Sequence, residues 1–519
     1  MEIFKSCFSP IPEFHPKKKD ILYSPMTVED KREAAIRRID HFIQVEMTKR
    51  RIPGAVISIV KDGQVLLNKG FGILSMDSPS DLPSNQFTTE SLLNQSCLAK
   101  SITAGAVSIL VHQQKLDWFK SISSYLPEIQ FPTEFLTKNV NIVDLLSHRT
   151  GIFSHNSLLF GNDGFTITGL PQYIFDHLKD LNTTDEFRNS FIHNNIMYVL
   201  VGLIVEKLSG VSLTEFIQSN ILTPLKMDSS QWSQPHSIDG AMIPHTLNYD
   251  VDDYVRNAHN SEKYAKLKGT PTANKPTFVP TVACGALICS ANDAMKWINC
   301  LVNNGKDDGG VPIVYDMDII TSVQNPIINF PSNRSIVKKL GYGCGLSISQ
   351  YEQHQILSSA GGLPGYNTYF AFCSESKFAV YFGTNSDYTT IFLDAPNLVI
   401  AELLDTVNSN LFKIECYQNM EEGKEGLVEF VQNTISRHVV GWIKMHPRFE
   451  DFLGSYSNEL YGQVSISRHD TPGYLYLERY PEKPQTLAPI RKNNYNQDPS
   501  GFLCRRWLGR LLHWSEMAI

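Results

Sequence analysis

Apolar residues recur every three or four positions in several segments of the chain, which is the spacing of a helix with one buried face. The first such segment is a charged stretch from Val28 to Lys49. A second opens with Cys97, and its apolar positions are Ile102, Ala106, Ile109 and Leu110. The same spacing predicts further helices at 197–208, within 285–302, and at 394–407.

Other segments alternate between apolar and polar residues, as half-buried strands do. Residues 52–72 alternate on both sides of Asp62-Gly63, which predicts a β-hairpin. Short apolar runs separated by glycines between 341 and 385 predict adjacent strands. Alternation returns at 449–480 and predicts a small separate β unit. The segment 233–282 is polar, rich in proline and irregular, which favours a lid or binding loop over a domain.

Length and charge narrow the class of protein. At 519 residues the chain exceeds what one hydrophobic core usually serves, so we expect a large body and a smaller unit. The hydrophobic share of 42% and the charged share of 19% are those of an ordinary globular protein. The net charge of -7 gives no positive field for nucleic acid, and we exclude nucleic-acid binding on that ground.

The nine cysteines form no cluster with zinc-site spacing, so the sequence predicts no metal site. Their odd number and scatter favour a reducing compartment. Residues 1–20 lack the apolar core of a signal peptide, and no run approaches the ~18 apolar residues of a membrane span. We therefore expect a cytoplasmic protein with no membrane partner and no cofactor.

The strongest candidate for chemistry is the pair Cys97 and Lys100 at the start of the second helix. Three residues apart on a helix, they share one face, so the ammonium can polarise the sulfur. The positive end of a helix also lowers the pKa of a thiol and increases its reactive thiolate form. The alternative is ordinary, because a single cysteine in an apolar helix is usually a small core residue.

Taken together, these segments resemble the serine β-lactamase-like hydrolase family, which includes class C β-lactamases, penicillin-binding DD-peptidases and related esterases and transesterases. The likeness covers roughly residues 30 to 410, with its markers in the expected order. The markers are PGAVISIVKDGQVLLNKGFG, the helix with Lys100, DLLSHRTGI, NNIMYVLVGLIVEKLSG, TPLKM and GGLPGY.

The resemblance implies an α/β (α+β) fold of the β-lactamase/transpeptidase type, in which helices and a helical subdomain flank an antiparallel sheet. It also implies three parts: a flexible leader over 1–27, a catalytic domain over 28–425, and a C-terminal β domain over 426–519. The last part resembles the lipocalin-like unit of fungal members, although roughly the last 30 residues fit neither neighbour. Fungal members often serve secondary metabolism, so we expect the same setting here.

Members of this family use a Ser-x-x-Lys helix and a Tyr-x-Asn loop for acyl transfer. Carried over residue by residue, the serine position is Cys97 and the lysine is Lys100. The tyrosine position is His193, and the matching asparagine is Asn195. A thiol is acidic enough to be activated by an imidazole, so cysteine with histidine is chemically as coherent as serine with tyrosine.

The third family motif is a strand with a basic residue two positions before a glycine. Here it falls at Ser359-Ala360-Gly361, so the basic residue is replaced by Ser359. The resemblance implies that the N–H groups of Cys97 and Gly362 hold the oxyanion of the intermediate. Ser359, Gly361 and Gly362 are therefore predicted to line the substrate site.

Three hypotheses follow from these replacements. The first is an acyl hydrolase or transferase that forms a Cys97 thioester with a small-molecule ester, thioester, lactone or amide. The second is an altered member that binds a metabolite and promotes a non-covalent cyclisation or isomerisation through His193. The third is a pseudoenzyme that keeps the fold as a scaffold. The sequence predicts a small-molecule substrate in the first two cases and leaves the oligomeric state open.

Overall fold

A computed structural model of the chain describes the larger part of its residues. The described ranges are 28–155, 170–184, 186–233, 245–248, 270–273, 282–326, 338–363, 365–386, 399–400, 454–458, 462–468, 475–479 and 485–487. The predicted leader, nearly all of the helix predicted at 394–407, most of the segment 233–282 and the C-terminal end lie outside them.

An antiparallel sheet of eight strands forms the framework. Its strands are β1 (Gly54–Lys61), β2 (Gln64–Gly72), β8 (Asn325–Pro326), β9 (Lys338–Tyr342), β10 (Ser347–Tyr351), β11 (His354–Leu363), β12 (Tyr366–Cys373) and β13 (Phe378–Thr384). They lie side by side in the order β2-β1-β13-β12-β11-β10-β9-β8. The predicted hairpin is confirmed: β1 pairs with β2, and both Asp62 and Gly63 have positive φ, as a tight two-residue hairpin turn requires.

Short strands and helices complete the body. The short strands are β3 (Leu93–Asn94), β4 (Gln231–Trp232), β5 (His245–Asn248), β6 (Thr270–Ala273) and β7 (Leu287–Cys289). The helices are α1 (Val28–Arg50), α2 (Ala99–His112), α3 (Glu134–Asn139), α4 (Ile142–Leu146), α5 (Leu170–Asp176), α6 (Asn195–Ser209), α7 (Leu213–Ile217), α8 (Ala291–Val302) and α9 (Met317–Thr321). The helices predicted at 28–49, at 197–208 and within 285–302 are confirmed.

Helix ends follow from capping residues in the sequence. Asn194 caps α6 by accepting the N–H of Ile196 on its side chain, and Gly210 ends the helix in the left-handed conformation. Ser290 caps α8 in the same way by accepting the N–H of Asp293. These caps fix where α6 begins, and His193 lies immediately before this cap.

The two faces of the sheet carry separate cores, because side chains alternate along each strand. On one face, Ile57 and Val380 pack with residues of α1 such as Ile39. On the other face, Val56 and Tyr381 pack with residues of α2, α6 and α8. The sheet is thus covered by helices on both sides, as predicted for the body of the molecule.

The structure corrects the prediction of a helix that opens with Cys97. Residues Ser96–Leu98 form a 3-10 turn, and the α-helix itself begins at Ala99. The helix was expected to bury one face, but every residue from Ala99 to Leu110 is buried. The reason is that α2 passes through the middle of the large core, where Gly105 lies close to the Trp297 ring of α8.

Two of the smaller β-sheets that lie outside the eight-stranded sheet are found within the segment 233–282 and near the C-terminus. The segment 233–282 was predicted to be an irregular lid or loop. Part of it is regular instead, because β5 and β6 pair as two antiparallel strands. Near the C-terminus, an antiparallel sheet is built from β14 (Gly454–Asn458), β15 (Gly462–Arg468), β16 (Leu475–Arg479) and β17 (Gln485–Leu487). This agrees with the strand pattern at 449–480. Among the described residues, no single helix is long and apolar enough to cross a membrane.

Candidate active site

A tightly held turn presents Cys97 beside the sheet. Gln95 anchors the start of this turn, since its side-chain amide donates to the carbonyls of Leu93 and Cys289 and accepts from the Tyr381 hydroxyl. The following residue, Ser96, has a φ of 48° and donates its backbone N–H to the side chain of Asn94. The half-buried Cys97 therefore projects from a turn whose conformation is fixed from both sides.

Strand β11 passes directly against this turn. Ser96 Oγ donates to the carbonyl of Gly362 at 3.0 Å. A Cβ atom at Gly361 would lie 2.8 Å from the backbone nitrogen of Cys97, so only glycine allows this close approach. The two predicted residues Gly361 and Gly362 are thus brought to Cys97.

Lys100 is buried in the first turn of α2, with only 1% of its surface exposed. Within the described part of the chain, its Nζ has no hydrogen-bond partner by distance and angle. Its closest ring contact is Tyr198, whose centroid lies 5.5 Å away. A buried side-chain nitrogen without an acceptor is costly, so Lys100 is stabilised by a negative counterpart in the site.

The Cys97 thiol supplies that counterpart. Burial of the sulfur raises its pKa, but the charge of Lys100, followed by a hydrogen bond and the charge of His193, outweighs this effect. The net result is that the pKa of the Cys97 thiol falls from 9.0 to about 5. At neutral pH the sulfur is therefore a thiolate, which is the nucleophilic form of cysteine.

His193 is exposed, and its ring lies against that of a second histidine that sequence reasoning did not identify. This residue is His148, whose ring centroid is 4.7 Å from that of His193. His148 is completely buried, and burial, followed by the charges of His193 and Lys100, holds its pKa well below the usual range. The ring of His148 is consequently neutral.

Two buried tyrosines also surround the site without having been predicted. Tyr198 donates its hydroxyl to the carbonyl of Leu146, and burial raises its pKa well above 10.0. Burial and the negative charge on Cys97 raise the pKa of Tyr342. Both phenols stay protonated at neutral pH, so neither is a base there.

The remaining predicted residues lie in the surrounding elements. Asn195 is buried at the first position of α6, one residue after the helix cap. Ser359 is buried on β11, two residues before Gly361. The structure therefore brings Lys100 and His193 to Cys97, with Gly361 and Gly362 beside it.

Among the residues that the structure describes, three side chains form a cluster that could hold a metal ion. This cluster, formed by His354, Cys373 and Glu375, has its ligand atoms within 4.8 Å of one another. It lies at the far end of β11 from Gly361, so it does not belong to the site around Cys97.

Comparison with solved structures identifies the class of fold. An octameric penicillin-binding protein homologue from Pyrococcus abyssi superposes with a TM-score of 0.56 at 21% identity, covering 87% of this chain and 89% of that one. The D-amino acid amidase of Ochrobactrum anthropi gives a TM-score of 0.54 at 17% identity, with 72% and 98% covered. A class C β-lactamase from Rhodobacter sphaeroides gives 0.53 at 16% identity, with 72% and 100% covered. The fold is the β-lactamase/transpeptidase-like fold that the sequence predicted.

Sequence comparison identifies the family. The Beta-lactamase family profile matches residues 39–404, which is more than half of the chain, so the chain belongs to this family. It is 23% identical over 453 residues to an unguisins hydrolase of Aspergillus campestris, covering 84% of this chain and 78% of the relative. It is also 25% identical over 276 residues to protein flp of Staphylococcus aureus, covering 51% of this chain and 49% of that relative.

Proposed function

We propose that the chain is an acyl hydrolase or acyltransferase that works through a thioester on Cys97. The observation that carries the proposal is the meeting of three groups: the half-buried Cys97 sulfur, the buried Lys100 ammonium, and the exposed His193 imidazole. Lys100 and His193 both lower the pKa of the Cys97 thiol, so both neighbours favour its nucleophilic form at this point.

The proposed reaction has two steps. In the first, the Cys97 thiolate attacks the substrate carbonyl carbon, a C–S bond forms, and the carbonyl electron pair moves onto oxygen. The intermediate collapses, and the leaving group departs with a proton from His193 or Lys100. In the second, water, an alcohol or an amine attacks the thioester, the group that gave the proton takes one from the attacking nucleophile, the C–S bond breaks, and the thiolate is released.

The oxyanion of both steps is assigned to the backbone N–H groups of Cys97 and Gly362. The close packing of Gly361 against the Cys97 nitrogen supports this assignment, because it keeps strand and turn at a fixed separation. Removing one preorganised donor of this kind lowers kcat by about 10²–10³-fold.

The substrate class is inferred from the chemistry and the relatives. A thiolate beside an amine and an imidazole that can transfer protons suits a small-molecule ester, thioester, lactone or amide. The similarity to a fungal unguisins hydrolase over most of both chains supports acyl hydrolysis, and we infer a role in fungal secondary metabolite biosynthesis. The likeness to the amidase concerns the fold alone.

The proposal is tested by the turnover of p-nitrophenyl esters and of acyl thioesters by three variants. Cys97→Ala should abolish turnover, and His193→Ala should lower it by about 10²-fold or more, the usual contribution of a general base. Cys300→Ala is the matched control, since Cys300 is a buried helix residue whose pKa burial raises to about 12. It should behave as the wild type.

Each other outcome selects one of the remaining hypotheses. Full turnover by Cys97→Ala with loss in His193→Ala contradicts the covalent route and favours the non-covalent cyclase or isomerase. Turnover of none of the substrates by the folded wild type, together with no labelling of Cys97, favours the pseudoenzyme.

A further inference from the structure

Two neighbours of His193 are both bound by one residue, His148. The backbone carbonyl of His148 accepts the N–H of Ile192 at 3.0 Å. Its ring Nδ1 accepts the N–H of Asn194 at 3.1 Å. The residue between these anchors is His193, so its backbone is fixed on both sides by a single buried side chain and its carbonyl.

The ring of His148 also contacts that of His193. The two rings are tilted by 53° with centroids 4.7 Å apart. Three further rings close around His148, those of Phe191, Tyr198 and Tyr342, with centroids 5.0 to 5.6 Å away. The imidazole therefore cannot turn without displacing these neighbours.

The hydrogen bond from Asn194 fixes the tautomer of His148. Because Nδ1 accepts a backbone N–H, the proton of the neutral ring is on Nε2. Among the described residues Nε2 has no hydrogen-bond partner, although it is buried. A buried polar atom left unsatisfied in this way opposes folding, which points to a role for the ring beyond packing.

The backbone of His148 is held in an unusual conformation. Its φ is 59°, in the left-handed region that is uncommon for residues other than glycine. The side chain of Asn325 secures it by donating to the carbonyls of Ser147, His148 and Ser190. The chain thus holds a strained residue in place at the point where it touches His193.

From these contacts we propose that His148 is the positioning residue for His193, holding it within reach of the Cys97 sulfur. The inference rests on the proposed function in that His193 acts as the base there. His148 itself touches neither substrate nor sulfur in this assignment. Its neutral ring provides an acceptor for the loop without adding a positive charge beside Lys100 and His193.

The test measures the pH at which half of Cys97 is ionised, from the rate of its alkylation by iodoacetamide followed by mass spectrometry. The charged and titratable groups that interact with the Cys97 sulfur are Lys100, His193, Tyr198 and Tyr342. His193→Ala should raise the midpoint from about 5, because it removes a hydrogen bond and a charge that lower the pKa.

His148→Gly removes the Nδ1 acceptor without straining the backbone, and it retains the carbonyl that binds Ile192. Like His193→Ala, it should raise the midpoint, here by about one pH unit. At pH values below the midpoint this lowers the fraction of thiolate about tenfold relative to the wild type. His148→Asn, whose Oδ1 replaces Nδ1 and which tolerates positive φ, should restore most of the wild-type value. His112→Asn is the control, since it alters an exposed histidine stacked on Tyr315.

The double variant His148→Gly/His193→Ala separates positioning from general damage. If His148 acts through His193, the second change adds nothing to the midpoint of His193→Ala alone. A folded His148→Gly protein with the wild-type midpoint would overturn the inference, as would additive shifts in the double variant. Failure of the proposed function looks different: Cys97→Ala would keep its turnover whatever the ionisation of the wild-type thiol.

Discussion

Replacing Gly361 by alanine tests how closely the sheet and the Cys97 turn must approach. The new Cβ would lie 2.8 Å from the Cys97 nitrogen, 2.9 Å from Ser96 Cβ and 3.0 Å from the Gln95 carbonyl oxygen. Ordinary contact begins at 3.4 Å, so the turn and β11 must separate by about 0.6 Å, the difference between 3.4 and 2.8. Two of the three obstructing atoms are backbone, which cannot rotate away.

The expected consequence is a large loss of activity with a modest loss of stability. A displacement of about 1 Å in catalytic geometry can reduce the rate 10²-fold, so we expect kcat to fall between about 10- and 100-fold. Overpacking of this size lowers the free energy of unfolding by about 1–3 kcal/mol. The rate should fall more than the loss of stability explains, because the strained contact lies at the Cys97 N–H, the proposed oxyanion donor.

The assay is steady-state hydrolysis of a p-nitrophenyl ester alongside urea unfolding of the same protein. Gly309→Ala is the control, because the nearest atoms to its Cβ belong to the movable side chain of Asp307, 3.3 Å away. Wild-type kcat in a folded Gly361→Ala protein would refute the role given to this contact.

Further predictions concern charge. Lys100→Met should raise the pH midpoint for alkylation of Cys97 from about 5 toward 9.0, because it removes the charge that most lowers the pKa of this thiol. An unchanged midpoint would show that Lys100 does not stabilise the thiolate. In the wild type the alkylation rate should fall as the pH drops through about 5, since the reactive form is the deprotonated one. Asp144→Ala should lower the free energy of unfolding, measured by urea denaturation, by about 3 kcal/mol, because this fully buried carboxylate pairs with both Arg149 and Arg188. A change below about 0.5 kcal/mol would show that these ion pairs do not stabilise the fold.

Local pattern predicted most of the helices and the first hairpin, because both depend on residues close together in sequence. The turn at Cys97 was not distinguished from the α-helix it precedes, since a 3-10 turn and an α-helix place i and i+3 side by side in much the same way. The spacing of Cys97 and Lys100 therefore led to the right pair through a slightly wrong local structure.

The pairing of β1 with β13 joins residues more than 300 positions apart, and hydrophobic alternation carries no information about such a partner. His148 was overlooked for a similar reason. It lies in the landmark DLLSHRTGI, but its meaning depends on Asn194, which follows 46 residues later. Tyr342 lies farther still along the chain, and the sequence shows only a tyrosine between two glycines.

The central claim, a thioester on Cys97, is tested most directly by trapping it. The wild type and Cys97→Ala would be mixed with an activated ester, quenched in acid within seconds, and weighed intact by mass spectrometry. The account predicts a mass increase of one acyl group on the wild type alone, mapped to Cys97 and removed by neutral hydroxylamine, as a thioester is. An adduct that persists in Cys97→Ala, or turnover of the ester with no adduct and no loss in that variant, would contradict it.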